Sequence, residues 1–248
     1  MEETGSIPAR DGTPLAYRRL SGRRPGVLFL GGLRSDMTGA KATALAGWAA
    51  EAGRAFCRFD YTGHGASGGA FEAGTIGRWA EDAEEVLTRL TEGPQLLVGS
   101  SMGGWIACLL ALRHPARVAA LLLIAPAPDF TEDLIWAQLP PEVKTTIARE
   151  GVWFRPSAYG DPYPITRALI EDGRRHLLLR GPVRIGCPVS ILHGLADPDV
   201  PWRHGLRLME ALTSPEVRMT LIKEGDHRLS RPQDLALLVQ EAARLCGG

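Results

Sequence analysis

At 248 residues, with 45% apolar and 23% charged residues, the chain has the composition of a soluble globular protein and enough length for one large core. Lysine plus arginine balances aspartate plus glutamate, and no basic cluster is interleaved with aromatics, which excludes nucleic acid as a partner and an anionic membrane as an electrostatic one. The apolar runs near Leu109 and Leu121 break well short of a membrane span, so no stable membrane insertion is expected.

Met1 to Gly12 is polar, and neither a signal peptide nor a transit segment is visible in it. Cys57, Cys108, Cys187 and Cys246 are scattered without metal-site or redox spacing, as for free thiols in a reducing compartment. A cytoplasmic protein is therefore expected.

In chain order, Thr13 to Leu20 and Val27 to Leu30 read as strands, and Asp11-Gly12 between Ile7 and Leu15 suits a hairpin turn. A glycine-bearing loop, Gly31 to Asp36, leads into a helix from about Thr38 to Ala52 that is rich in alanine and stops at Gly53. Ala55 to Phe59 is the next strand, followed by the turn Asp60-Tyr-Thr-Gly-His64-Gly and a helix capped by Thr75. Leu96 to Val98 and Val118 to Ile124 are apolar strands separated by a helix reaching about His114. The alternation predicts one α/β domain over residues 1–248, its mostly parallel central sheet covered by helices on both faces.

From about 126 to 187 the rhythm breaks into short helices (Glu132 to Gln138, Pro141 to Glu150, Thr166 to Leu179) with frequent prolines and the aromatics Phe130, Trp136, Trp153, Phe154, Tyr159 and Tyr163. An irregular segment of this size reads as a small helical lid insertion over an active site. The pattern resumes with the strand Val189 to His193, a helix from about Trp202 to Leu212, the strand Val217 to Ile222 and a helix from Pro232 to Leu245.

The chemistry concentrates at Gly99-Ser-Ser101-Met-Gly103, where a strand turns sharply into a helix. Such a turn raises the serine hydroxyl at the carboxyl end of the strand, and its glycines avoid clashes with the flanking strand and helix. Gly65-Ala-Ser67-Gly-Gly69 fits the same pentapeptide pattern, but no strand feeds it and no helix leaves it, so Ser67 reads as a turn residue.

A serine hydroxyl needs a base, and the base needs an orienting acid. His227, after the last strand, is the expected base, in preference to His64, His114, His176, His193 and His204. Asp197, closer to the end of the preceding strand, is preferred as the acid over Asp199, with Asp129 as a third candidate. The N–H of Met102 and an N–H from the loop after Leu30, best that of Leu33, are the expected oxyanion donors. Asp60 and His64 read as structural turn residues near the site. No metal or organic cofactor is required.

The motifs around Asp60, Ser101, Asp197 and His227 resemble the α/β-hydrolase superfamily. Gly39-Ala-Lys-Ala, Val98 to Trp105, Gln138-Leu-Pro, Gly151-Val-Trp153, Cys187-Pro, Leu192-His-Gly and Val200-Pro-Trp202 are further similar to the family of α/β-hydrolase domain-containing protein ten. That resemblance implies palmitoyl-protein thioesterase and acyl glucuronide esterase chemistry, with Ser101, Asp197 and His227 as the catalytic triad. Members in eukaryotes are mitochondrial; the polar start of this chain and its alanine- and arginine-rich composition instead fit a cytoplasmic bacterial type.

The expected function is cleavage of acyl thioesters or esters through an acyl-enzyme on Ser101, acting on a small-molecule ester or an S-acylated protein or peptide. Trp136, Leu139 and Trp153, with Leu134 and Ile135, would line an apolar acyl pocket. Arg155, Arg167, Arg174, Arg175 and Arg180 read as a solvated helix face rather than a carboxylate clamp. The alternatives are a carboxylesterase for small esters and, outside enzymes, a ligand-binding protein of the same fold. The oligomeric state stays open.

Overall fold

The computed structural model describes residues 2–157 and 160–247. Asp11-Gly12 closes the first hairpin, with β1 (Glu3–Pro8) antiparallel to β2 (Pro14–Leu20) and Ile7 opposite Leu15. β3 (Arg23–Leu30) begins earlier than its apolar run, because Arg23 pairs with Arg54 on a neighbouring strand. α1 (Ala40–Glu51) buries Ala42, Leu45, Ala46 and Ala49 and ends before Gly53, whose φ is 59°.

β4 (Arg54–Phe59), α2 (Ile76–Leu90), β5 (Gln95–Ser100), α3 (Met102–Arg113) and β6 (Val118–Ile124) follow. The Thr75 hydroxyl accepts the Arg78 N–H at 3.2 Å, which caps α2 as the sequence predicts. Ten of the twelve residues of α3 are buried, since the helix lies against the sheet on one side and under α2 on the other, with Trp105 reaching His176 and Phe130 of the inserted segment.

The carboxyl-terminal part contains β9 (Val189–Gly194), α6 (Trp202–Ala211), β10 (Val217–Ile222) and α7 (Pro232–Leu245). The sheet order is β1-β2-β4-β3-β5-β6-β9-β10, parallel except for the pairings of β2 with β1 and β4. Its two apolar faces form separate cores: Trp79, Trp105 and Leu123 lie in one, and Phe29, Leu45, Leu122 and Leu238 in the other. Among the described residues no helix is long and apolar enough to cross a membrane.

Between β6 and β9 the segment is less helical than expected. A single π-helical turn (Thr131–Ile135) runs into a 3₁₀ turn (Trp136–Gln138), followed by α4 (Pro141–Glu150) and α5 (Arg167–Gly173). α4 and α5 are separated by a hairpin that the sequence does not announce, β7 (Val152–Ser157) against β8 (Gly160–Thr166). Pro156, Pro162 and Pro164 argue against strand, but a two-stranded ribbon has only edge strands, where prolines are tolerated. Tyr159 lies outside the described residues.

The segment is tied down at both ends. Asp129 accepts the N–H groups of Leu178 (2.7 Å) and Leu179 (2.9 Å), and Asp172 accepts the Gly77 N–H in the first turn of α2 at 2.6 Å. Trp105 of α3 donates its indole N–H to the His176 carbonyl at 3.0 Å.

Candidate active site

Ser101 sits between β5 and α3 with φ 54° and ψ −115°, a conformation that costs a non-glycine residue roughly 1–3 kcal/mol. Neighbouring backbone enforces it. The Ser101 N–H donates to the Ile124 carbonyl (2.9 Å), and the Ser101 carbonyl accepts the N–H groups of Gly104 (2.9 Å) and Ala127 (3.1 Å). The turn is tight because α3 starts against β3: a Cβ on Gly103 would lie 2.1 Å from the Leu30 carbonyl oxygen.

β9 and β10 bring the remaining groups to the same edge. Leu195 N–H bonds to Ile222 O (2.9 Å) and Ala196 N–H to Gly225 O (3.0 Å), so the loops after these two strands are stitched together. They touch backbone to backbone at Gly194, where a Cβ would lie 2.1 Å from the Gly225 carbonyl oxygen. This places His227 with Nδ1 2.8 Å from Asp197 Oδ2 and Nε2 3.1 Å from Ser101 Oγ. With Nδ1–H donating to the carboxylate, the Nε2 lone pair faces the serine hydroxyl. Lys41 donates to the Arg228 carbonyl next door at 2.5 Å, and burial pushes its ammonium down to about 8 despite nearby Asp226.

The Asp197 carboxylate is shielded from solvent. Burial alone would raise its pKa, but the neighbouring imidazoles of His193 and His227 and the N–H of Val200 outweigh it and hold the carboxyl well below the usual range. Oδ1 accepts the N–H groups of Asp199 (2.9 Å) and Val200 (2.8 Å). Asp199 is exposed, and its backbone supports the acid that its side chain was weighed against. Asp129, the third candidate, is committed to closing the inserted segment.

Asp197, Asp199 and His227 bring potential metal-ligating atoms within 4.8 Å of one another, yet they make a poor cation site. Both oxygens of Asp197 already accept N–H donors, and the His227 nitrogen on that side is itself donating.

The loop after β3 passes over the nucleophile, since a Cβ on Gly32 would lie 3.5 Å from the Ser101 Cβ. Leu33 follows in a turn closed by the Ser35 N–H to the Gly32 carbonyl (3.1 Å), and Met102 opens α3 fully buried. Ser67, the rival serine, is spent on structure: its hydroxyl donates to the Asp60 carbonyl (2.6 Å) and accepts the Ala16 N–H (2.8 Å). Asp60 accepts the N–H groups of Met37 (2.7 Å) and Ala66 (2.8 Å), holding the loop after β3 to the turn after β4.

Trp136, Leu139 and Trp153 are half-buried in the inserted segment and packed against the core, and the Trp136 ring faces both Arg174 (4.9 Å) and Lys144 (5.5 Å). Four of the five arginines singled out in the insertion form ion pairs within it, Arg174 with Glu132, Arg175 with Asp172, Arg180 with Asp133 and Arg167 with Glu171. Two contacts escaped the sequence reading because they join distant segments. Tyr163 of β8 lies 5.2 Å from the Arg34 guanidinium, and Phe130 meets Trp105 edge-on at 5.7 Å.

The family described as serine aminopeptidase, S33, matches residues 24–171. The chain is 40% identical over 227 residues to the mitochondrial palmitoyl-protein thioesterase ABHD10 of Mus musculus, covering 91% of this chain and 76% of that one. It superposes on a protein assigned as a hydrolase from Agrobacterium vitis S4 with a TM-score of 0.96, at 45% identity and 99% coverage of both chains. The structure of mouse α/β-hydrolase domain-containing protein 10 gives a TM-score of 0.91, at 37% identity and 98% coverage of both. These relatives overturn the cytoplasmic expectation, because the matching thioesterases are mitochondrial by name. That expectation rested on a polar start, on four cysteines without metal-site or redox spacing and on overall composition, none of which is a physical constraint that singles out the cytoplasm.

Proposed function

The chain belongs to the α/β-hydrolase family, as an ester or thioester hydrolase, and we propose that it works through an acyl-enzyme on Ser101 and takes long-chain S-acyl groups. The observation that carries the mechanism is the unbroken line from Ser101 through His227 to Asp197, with separations of 3.1 and 2.8 Å.

The Ser101 hydroxyl adds to the acyl carbonyl while His227 Nε2 takes its proton. Asp197 keeps the ring oriented and stabilises the imidazolium that forms. The N–H groups of Met102 and Leu33 receive the oxyanion, the former aided by the amino end of α3. His227 returns the proton to the departing thiolate or alkoxide. Water deprotonated by the same ring then adds to the acyl-enzyme, the bond to Ser101 Oγ breaks, and His227 returns the proton to that oxygen as the acid leaves. Within this reading the chain is one domain whose residues 126–187 act as a lid, with Trp136, Leu139 and Trp153 against the acyl chain. The long-chain preference is supported by the palmitoyl-protein thioesterase name of the 40% identical mouse relative.

Labelling with a fluorophosphonate probe, together with hydrolysis of S-acyl and p-nitrophenyl substrates of increasing chain length, tests both parts. Wild type should be labelled and Ser101→Ala should not. Activity should rise with chain length, and a preference for acetyl substrates would overturn the long-chain assignment.

A further inference from the structure

The turn that carries Leu33 adopts a conformation that its sequence resists. Gly32 to Ser35 closes on the Ser35 N–H at 3.1 Å, and Arg34, its third residue, has φ 60°. This is the type II arrangement, which ordinarily requires glycine or asparagine at that place. Rotating the central peptide gives type I, which any residue accepts. Something must hold the Leu33–Arg34 peptide in the less favoured orientation.

His64 makes that contact. Its Nε2 accepts the Arg34 N–H at 3.1 Å, and its Nδ1 donates to the Thr62 carbonyl at 3.2 Å. The accepting role of Nε2 requires a neutral ring, which burial favours by lowering the pKa. Around the imidazole, Tyr61, Phe71 and Trp79 stand edge-on at 5.8, 5.2 and 5.2 Å. The Thr62 carbonyl also accepts the Trp79 indole N–H (3.0 Å), and the Thr62 N–H donates to buried Asp82 (2.8 Å). The ring therefore cannot swing away, and its one free lone pair is committed to the loop above Ser101.

We propose that His64 is a positioning residue for acyl transfer, fixing through the Arg34 N–H the loop that presents the Leu33 oxyanion donor. The inference rests on the acyl-enzyme reading given above. A donor misplaced by about 1 Å costs up to about a hundredfold in rate.

Three variants test it, with kcat and KM measured on one S-acyl substrate and stability by urea unfolding. His64→Phe keeps the aromatic packing without an acceptor. His64→Asn reaches only the Nδ1 position, and His64→Gln can offer its carbonyl oxygen near the Nε2 position. His64→Phe and His64→Asn should lose roughly tenfold to a hundredfold in kcat, with KM within about threefold, and His64→Gln should recover most of the loss. Wild-type kcat in His64→Phe, or equal loss in all three, would overturn the proposal, the second result meaning that the ring only packs. If wild type is not labelled by fluorophosphonate, or Ser101→Ala still turns over, the acyl-enzyme reading itself fails.

Discussion

Asp197 accepts the backbone N–H of Asp199 at 2.9 Å, so two neighbouring carboxylates that look interchangeable in the sequence have different tasks. One holds the His227 ring, and the other contributes a main-chain donor that any residue could supply. Asp197→Asn should lower kcat by about 10⁴-fold through the wrong imidazole tautomer. Asp199→Ala should stay within a few-fold of wild type. Steady-state hydrolysis of a p-nitrophenyl ester measures both, and a larger loss at Asp199 would reverse the assignment.

The same carboxylate ties stability to pH. Its folded pKa is depressed, so the unfolded chain binds the proton more readily. The contribution is fully present above the unfolded value of about 3.9. It is lost as pH falls toward the lower folded value. The difference in unfolding free energy between wild type and Asp197→Asn should be constant from pH 7 to about 5 and shrink below about 4. Urea titrations at several pH values read this directly, and a gap independent of pH would contradict it.

Ser67 offers the opposite test. Removing its hydroxyl leaves the Ala16 N–H without its acceptor and the Asp60 carbonyl without its donor. Ser67→Ala should cost about 1–3 kcal/mol of stability. Fluorophosphonate labelling should be unchanged, and a loss of labelling in folded Ser67→Ala would reopen the choice of nucleophile.

Gly103 is the position where the nucleophile turn tolerates least. A methyl group there meets the Leu30 carbonyl oxygen at 2.1 Å and that of Gly31 at 2.6 Å, both rigid backbone atoms. Gly103→Ala should destabilise the chain by about 3 kcal/mol. Because relief requires α3 to move away from β3, labelling of Ser101 should slow in the folded variant as well. A fully stable, fully labelled variant would mean that the turn has slack.

The sheet was legible because β3, β5 and β6 carry apolar runs that end in loops or turns, and the alternation of strand and helix around them also put Ser101, Asp197 and His227 after strand ends. The β7–β8 hairpin was not, because three prolines mask strands whose pairing depends on each other alone. Nor were the tasks of His64, Asp60 and His193 visible, since their partners Arg34, Met37 and Val200 are fixed by loop geometry rather than by residue type.

Asp172 couples the inserted segment to the body of the domain. By accepting the Gly77 N–H, it supplies from α5 a partner that the amino end of α2 lacks within its own helix. Lifting α5 off the body would leave the Gly77 N–H of α2 without that partner, and the Asp129 contacts to Leu178 and Leu179 penalise separation at the return end as well. The insertion is riveted rather than hinged. Tyr163 of β8, 5.2 Å from the Arg34 guanidinium, adds a third point of attachment, to the loop after β3 that runs above Ser101.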